Sequence, residues 1–235
     1  MWFVANRPRT ASTPPIMSAK VLGVPASQNC AGPVMLAMEA KAGGIEVVDM
    51  ASGAHKKDEY LAINAYGQVP AFQDGDVKIG QSNAILRYLA IKYKPDAYPV
   101  AEPDKCAKID FAIDSLTDYV YPGHKTTVYV VLGFTGPPED QASANEAYAA
   151  ACEKWLKTFV GESKFCGGDL PSIADYKAVP FFYAAIQPAM KAKIGLEMSE
   201  RVAKYTADFA AAVGSASFME SAGGWSIKEL AASKE

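Results

Sequence analysis

Two neighbouring segments, YGQVPAF at residues 66–72 and QSNAILRYLA at residues 81–90, decide the fold of this chain. A Val-Pro pair before a strand favours a cis peptide bond, which exposes the backbone N–H and C=O groups of Val69. A helix that begins at Gln81-Ser82 offers free amides and the positive end of its dipole to an anion. Together the two segments predict a pocket for a peptide-like ligand that carries a carboxylate.

The residues around these segments predict a thioredoxin-like domain over residues 17–95. A short strand at residues 20–24, a helix ending near Ala42 and a β-branched strand at residues 45–48 indicate a parallel βαβ unit. The Asp74-Gly75-Asp76 sequence is typical of a hairpin turn, and a helix follows it. The resulting order is β-α-β-α-β-β-α.

Beyond a Pro-containing linker at residues 96–104, the pattern becomes helical. We expect an all-α helical-bundle C-terminal domain over residues 105–225 and a short tail over residues 226–235, with the β-rich segment 126–132 ambiguous. Ser172 and Asp175 form a capping box, S-I-A-D, which predicts the start of a buried helix.

Composition excludes several classes of function. The net charge of -3 gives no reason to expect nucleic acid or an anionic membrane as partner, and no apolar run reaches membrane-spanning length. Four widely spaced cysteines fit a reduced, cytoplasmic protein, and two histidines give no metal-ligand spacing. Residues 1–16 are basic and contain no acid. We interpret them as an N-terminal extension, with a short organelle-targeting segment as the alternative.

At this point the chain resembles the cytosolic glutathione transferase superfamily. The similarity covers residues 17 to about 215, and the Y-G-Q-x-P, Q-S-N-A-I-L-R-Y and S-I-A-D motifs carry it. The resemblance implies a glutathione transferase fold, in which a thioredoxin-like domain is joined to a helical domain. It also implies a homodimer, glutathione as a substrate and no metal.

The resemblance also implies roles for individual residues. Val69, next to Pro70, would pair with the cysteinyl part of glutathione, while Gln81 and Ser82 would hold its γ-glutamyl end. The remaining implied residues are Gln68 beside the peptide, His55 with Lys56 or Lys57 at the glycyl carboxylate, and Tyr66 as a dimer anchor. Each has a purely structural alternative; Ser82, for example, is also an ordinary helix cap.

The sequence leaves three alternatives for the activation of the glutathione thiol. The segment 66–87 is most similar to the classes that use a tyrosine on the first strand, but no tyrosine lies between residues 17 and 39. Ser27 is similarly placed to the serine of the serine-type classes, theta among them. Cys30 is its rival, because a cysteine at a helix N-terminus is expected to have a lowered pKa. A third alternative is that neither residue acts.

Three functions follow from these residues. The first is conjugation of the glutathione thiolate to electrophiles, as in detoxification, or reduction of peroxides by it. The others are a non-catalytic binding or scaffold protein, as in elongation factor 1 gamma, and a Cys30-dependent thiol transferase or dehydroascorbate reductase. We expect the electrophile pocket between the domains, with four aromatic candidates for its lining: Tyr119, Tyr121, Tyr129 and Phe134.

Overall fold

The computed structural model describes residues 18–214, which form a four-stranded sheet followed by a helical region. The predicted N-terminal extension at residues 1–16, the tail at residues 226–235 and the end of the C-terminal domain beyond residue 214 lie outside the described residues.

The sheet has the thioredoxin-like arrangement that the sequence predicts. Its strands are β1 (Ala19–Gly23), β2 (Gly43–Val47), β3 (Ala71–Asp74) and β4 (Val77–Gly80). Their order across the sheet is β2-β1-β3-β4, with β1 parallel to β2 and the other two pairs antiparallel. Gly43 lies opposite Ala19 at the start of the parallel pair. A Cβ atom there would come within 1.6 Å of the Ala19 carbonyl oxygen, so only glycine fits.

Helices cover the sheet and form the C-terminal region. Those of the thioredoxin-like region are α1 (Gln28–Glu39), α2 (Asp58–Leu61) and α3 (Ser82–Tyr93). Those that follow are α4 (Pro103–Ser115), α5 (Tyr121–Lys125), α6 (Val128–Val131), α7 (Gln141–Phe159), α8 (Ile173–Ala185), α9 (Pro188–Ile194) and α10 (Glu200–Val213). The ambiguous segment 126–132 therefore contains the short helix α6 and no strand. Within residues 18–214, no helix is both long enough and apolar enough to span a membrane.

A close contact between α1 and α8 joins the two parts of the molecule. Gly32 lies on α1 against the backbone of α8, and a Cβ atom at this position would come within 2.3 Å of the Tyr176 carbonyl oxygen. The glycine therefore allows the two helices to approach backbone to backbone. This approach brings the next residue of α8, Lys177, to the beginning of α1.

The predicted capping box fixes the start of α8. One carboxylate oxygen of Asp175 accepts hydrogen bonds from the Ser172 amide at 2.7 Å and the Ser172 hydroxyl at 2.8 Å. The other accepts from the Cys166 amide at 2.9 Å and the Tyr205 hydroxyl at 2.5 Å. Asp175 is fully buried, and its burial raises the pKa of the carboxyl group against the opposing effect of these bonds. Its role is structural.

Candidate active site

A cavity of about 660 Å³ opens between the thioredoxin-like region and the helical region, within the size range of small-molecule sites. Its polar wall comes from the loops and helix starts of the first region. Its opposite, aromatic wall comes from α5, α6 and α8. The side chains and backbone groups that line the cavity include those of Ser27, His55, Gln68, Val69, Pro70, Gln81, Ser82, Tyr121, Tyr129, Lys177 and Phe181.

The segment before β3 forms the centre of the polar wall. The Val69–Pro70 peptide bond is cis, as the sequence predicts, and both residues line the cavity. The Gln68 carbonyl accepts hydrogen bonds from the Tyr60 hydroxyl at 2.8 Å and the Asn64 side-chain amide at 2.7 Å. These bonds hold the segment in place from the side of α2.

The start of α3 forms the next part of the polar wall. Gln81 precedes the helix with a φ of 66°, a left-handed conformation that costs free energy for any residue but glycine. Ser82 is the first residue of the helix and is buried, although its side chain borders the cavity. The strained backbone at Gln81 therefore places both side chains of this pair at the positive end of α3.

Ser27 and Cys30 lie at the start of α1 in different environments. Ser27 is half-buried, lines the cavity and precedes the helix, and its side chain makes no capping hydrogen bond. Cys30 is fully buried and is not among the residues of the cavity wall. Burial raises the pKa of the Cys30 thiol, although hydrogen bonds from Ser27 and the Val24 backbone and the Lys177 charge act in the other direction. The expectation of a lowered pKa at Cys30 is therefore wrong.

His55 and Lys56, expected at the same subsite, are separated by the structure. His55 lines the cavity, and its Nδ1 atom is buried with no hydrogen-bond partner among the described residues. Lys56 is not part of the cavity wall. Its ammonium donates instead to the Gly67 carbonyl at 2.9 Å, which links the loop to the segment before Pro70.

Lys177 is a cavity residue that the sequence reasoning missed. It lies on α8 with 5% of its surface exposed, and its Nζ atom is 2.7 Å from both the Asn29 Oδ1 and Ser82 Oγ atoms. Burial lowers its pKa to about 7, against an opposing effect of Cys30. A lysine four residues before Phe181 on a predicted buried helix was the available signal, because such a side chain has to find a polar site.

The aromatic wall agrees only in part with the expected electrophile pocket. Tyr121 and Tyr129 line the cavity and contact each other edge to face, and Tyr121 also packs against Phe181. The expectation is wrong for the other two rings. Tyr119 lies on a groove elsewhere on the helical region, and Phe134 is exposed and reaches the cavity only through its contact with Tyr129.

A buried histidine supports this wall from behind. His124 is fully buried, with its Nδ1 atom 2.8 Å from the Tyr148 hydroxyl and its Nε2 atom 3.3 Å from Gln28 Oε1. Its ring packs edge-on against Tyr129 and Phe181. Burial lowers the pKa of His124 to about 3, so the ring is neutral and serves as a packing and hydrogen-bonding group.

The sequence of this chain is similar to those of known glutathione S-transferases. Residues 17–91 match the family model described as glutathione S-transferase, N-terminal domain. The glutathione S-transferase PARB of Nicotiana tabacum is 33% identical over 173 residues, which cover 70% of this chain and 79% of that protein. Human glutathione S-transferase theta-2B is 29% identical over 143 residues, covering 57% and 58% of the two chains.

The solved structures that resemble this chain have the same fold. A glutathione S-transferase-I structure bound with lactoylglutathione has a TM-score of 0.71 at 24% identity, covering 87% of this chain and 98% of that one. Human glutathione S-transferase T1-1 has a TM-score of 0.75 at 22% identity, covering 91% of each chain. The thioredoxin-like sheet followed by a helical region is the fold of these glutathione S-transferase structures. The chain belongs to the glutathione S-transferase family.

Proposed function

We propose that this chain is a glutathione transferase in which the Ser27 hydroxyl stabilises the glutathione thiolate for attack on an electrophile. The observation that carries the proposal is the position of Ser27. It lies at the beginning of α1 on the same cavity wall as Val69 and Ser82. A hydroxyl donor and the positive end of α1 both favour the thiolate over the thiol.

The polar wall accommodates glutathione in one direction. The Val69 backbone pairs with the cysteinyl residue, Gln81 and Ser82 hold the γ-glutamyl residue, and Gln68 flanks the peptide. His55, whose Nδ1 atom has no protein partner among residues 18–214, receives the glycyl carboxylate. Lys56 holds the loop through the Gly67 carbonyl and is not proposed as a contact to the ligand.

The reaction is a nucleophilic displacement or addition. A free thiol of this kind has a pKa of about 8.5, so little thiolate is present at neutral pH without help. In the site, the thiol proton leaves to solvent and Ser27 donates a hydrogen bond to the sulfur. In a displacement, the sulfur lone pair then forms a bond to the electrophilic carbon while the leaving group departs with its bonding electrons. In an addition, the electrons of the π bond that breaks move to the far atom of the electrophile, which takes a proton from solvent. The rings of Tyr121, Tyr129 and Phe181 favour flat, apolar electrophiles.

The test of this proposal is the Ser27→Ala variant, measured with glutathione and chlorodinitrobenzene. We expect kcat/KM to fall by about 100-fold, the loss typical for removing one donor to a developing charge. The pKa of the bound thiol, read from the ultraviolet absorbance of the thiolate, should rise while the affinity for glutathione changes little.

Cys30→Ala is the matched control for Ser27→Ala. Because Cys30 is buried and outside the cavity wall, this variant should keep its conjugation activity. Unchanged turnover in Ser27→Ala would remove Ser27 from the mechanism. Loss of activity in Cys30→Ala with retained folding would instead favour the thiol transferase alternative.

We also propose a homodimer with Tyr66 as its anchor. Tyr66 is 78% exposed, which excludes an ordinary core position within the monomer. Between α4 and α7 lies an apolar groove of about 510 Å³, whose lining includes Phe111, Tyr119 and Trp155. Phe111 is 60% and Tyr119 73% exposed, and a large exposed apolar patch marks an interaction surface. One aromatic side chain in such a groove can dominate an interface.

Sedimentation velocity tests the dimer. The wild-type chain should sediment as a dimer, and Tyr66→Ala should raise the dimer dissociation constant by at least about tenfold, as expected for an anchor residue. A monomeric wild-type protein, or a Tyr66→Ala variant with unchanged association, would contradict the proposed anchor.

Detoxification in the cytoplasm is the setting that fits these features. The open aromatic wall accepts varied electrophiles, and all four cysteines are free thiols, as expected in a reducing compartment. Fractionation of cells that produce the chain, with and without residues 1–16, tests the location. Recovery in an organelle only when these residues are present would assign them a targeting role.

A further inference from the structure

We propose that Lys177 binds the α-carboxylate of the γ-glutamyl residue of glutathione and makes the site selective for that residue. The inference rests on the proposed function, because it concerns the same cavity. It adds a contact from the helical region to a subsite otherwise formed by the thioredoxin-like region.

Lys177 has more hydrogen-bond donors than the described part of the chain uses. An ammonium group has three donors and no acceptor. Two of the donors are used by neutral oxygens, since Asn29 Oδ1 and Ser82 Oγ each lie 2.7 Å from Nζ. No third protein acceptor is recorded for Nζ among residues 18–214. Because Lys177 borders the cavity, the third donor is available to a ligand there.

The charge of Lys177 also favours an anionic ligand. In the described part of the chain, no carboxylate lies within ion-pair distance of Lys177, although the side chain is almost completely buried. Its two partners lie in the first turns of α1 and α3, where the helix dipoles add further positive potential. A buried cation beside two positive helix ends is unfavourable until an anion joins it.

Among residues 18–214, the pKa of Lys177 responds to one other titratable group, Cys30. Cys30 on α1 raises the pKa of Lys177 only as a thiolate, and burial raises the pKa of the Cys30 thiol, which disfavours that charged form. Ser82 on α3 does not titrate, and on α8 the neighbour is the Phe181 ring, whose centre lies 5.5 Å from Nζ. Burial lowers the pKa of Lys177 to about 7, so an arriving carboxylate would draw a proton onto it.

The position of Lys177 indicates which carboxylate of glutathione it binds. Glutathione carries two, one on the glycyl residue and one on the γ-glutamyl residue. Lys177 is bonded to Ser82, the residue proposed to hold the γ-glutamyl end, whereas His55 comes from a different loop. The α-carboxylate therefore meets Ser82, Lys177 and the start of α3 together.

The experiment compares glutathione with γ-glutamylcysteine, which lacks the glycyl carboxylate, by isothermal titration calorimetry. Lys177→Met should weaken both ligands by the same factor, about 10- to 100-fold, because it removes a charge-assisted hydrogen bond to a residue they share. His55→Ala should weaken glutathione but leave γ-glutamylcysteine unchanged. Lys191→Met, which alters an exposed lysine paired with Glu197, is the matched control and should bind as the wild type does.

Three further measurements distinguish ligand binding from a structural role. Lys177→Arg keeps the charge and should recover part of the affinity. In Lys177→Met, KM for glutathione should rise by the same factor as its dissociation constant. Near pH 8, about one unit above the pKa of Lys177, wild-type protein should take up protons when it binds S-methylglutathione, a measurement that needs no variant.

The failures are distinguishable. If the wild-type chain does not bind glutathione at millimolar concentration, the proposed function fails. If it binds glutathione but Lys177→Met binds both ligands within twofold of the wild type, or the wild type takes up no protons, the assignment of Lys177 is overturned. If Lys177→Met weakens glutathione alone, Lys177 contacts the glycyl carboxylate instead.

Discussion

The two walls of the cavity are built in different ways. On the polar wall, Val69, Gln81 and Ser82 come from one short stretch, and backbone groups and helix ends provide much of the contact. On the aromatic wall, Tyr121, Tyr129 and Phe181 come from three separate helices and act through their rings. Directional backbone groups select one peptide, whereas ring faces accept many apolar shapes. The polar wall therefore indicates a particular substrate, glutathione, whereas the aromatic wall indicates only a class of electrophiles.

The largest loss of stability is expected on substitution of Asp175, because this residue caps α8, which contributes to both walls. Asp175→Ala would leave the Ser172 and Cys166 amides and two hydroxyls without their buried acceptor, so we expect a loss of about 4 kcal/mol in the free energy of unfolding. Because α8 carries Lys177 and Phe181, both substrates should bind less tightly. Urea unfolding and the two KM values measure this.

The matched control is Asp140→Ala. Asp140 is an exposed helix cap that accepts a hydrogen bond from the Ser143 amide at 3.0 Å, away from the cavity. Its loss should cost far less stability and leave both KM values unchanged. Equal losses from the two substitutions would show that α8 does not depend on its buried cap.

The next largest effects are changes in KM that distinguish the two walls. Ser82→Ala removes a group of the polar wall and should raise KM for glutathione by about tenfold, with KM for chlorodinitrobenzene nearly constant. Tyr121→Leu should do the reverse, raising KM for chlorodinitrobenzene by about threefold through the loss of its ring contacts. If either variant changes both KM values equally, the walls are not independent.

The smallest expected effect is the pH dependence of stability that comes from His124, which packs behind the aromatic wall. The folded state holds the pKa of His124 at about 3, below the value of about 6.5 in the unfolded chain. A base with a lowered pKa contributes stability above the unfolded value and loses it as pH falls towards the folded value. Between about pH 7.5 and about pH 5.5, this histidine should therefore cost about 1.4 kcal/mol of stability.

The measurement is urea unfolding of the wild type and His124→Gln at both pH values. Lys177 also loses stability in this range, so the difference in pH dependence between the two proteins isolates His124. An identical pH dependence would mean that His124 is not held neutral in the fold.

Much of the polar wall could be predicted because it is encoded locally. The Val69–Pro70 turn, the helix start at Ser82 and the Ser172–Asp175 capping box are short patterns whose geometry follows from neighbouring residues. The helix at Val128–Val131 could not be predicted in this way. Val and Tyr favour strands only where a sheet is available to pack against, and here the neighbours are helices.

The position of Lys177 required tertiary information. Its sequence neighbourhood predicts a buried helix, but not which polar groups lie opposite it. Those groups, Asn29 and Ser82, are far away along the chain and meet Lys177 because Gly32 lets α8 approach α1. The positions of Tyr119 and Phe134 away from the cavity wall also depend on tertiary packing, because the sequence does not determine which neighbour a helix face at Tyr119 or a bend at Phe134 meets.

The most direct test of the account is a crystal structure of the protein with glutathione bound. We expect the sulfur at about 3 Å from Ser27 Oγ, which is hydrogen-bonding distance, and the γ-glutamyl α-carboxylate at similar distances from Ser82 Oγ and Lys177 Nζ. A peptide bound in the opposite direction, or a sulfur closer to another side chain than to Ser27, would contradict it.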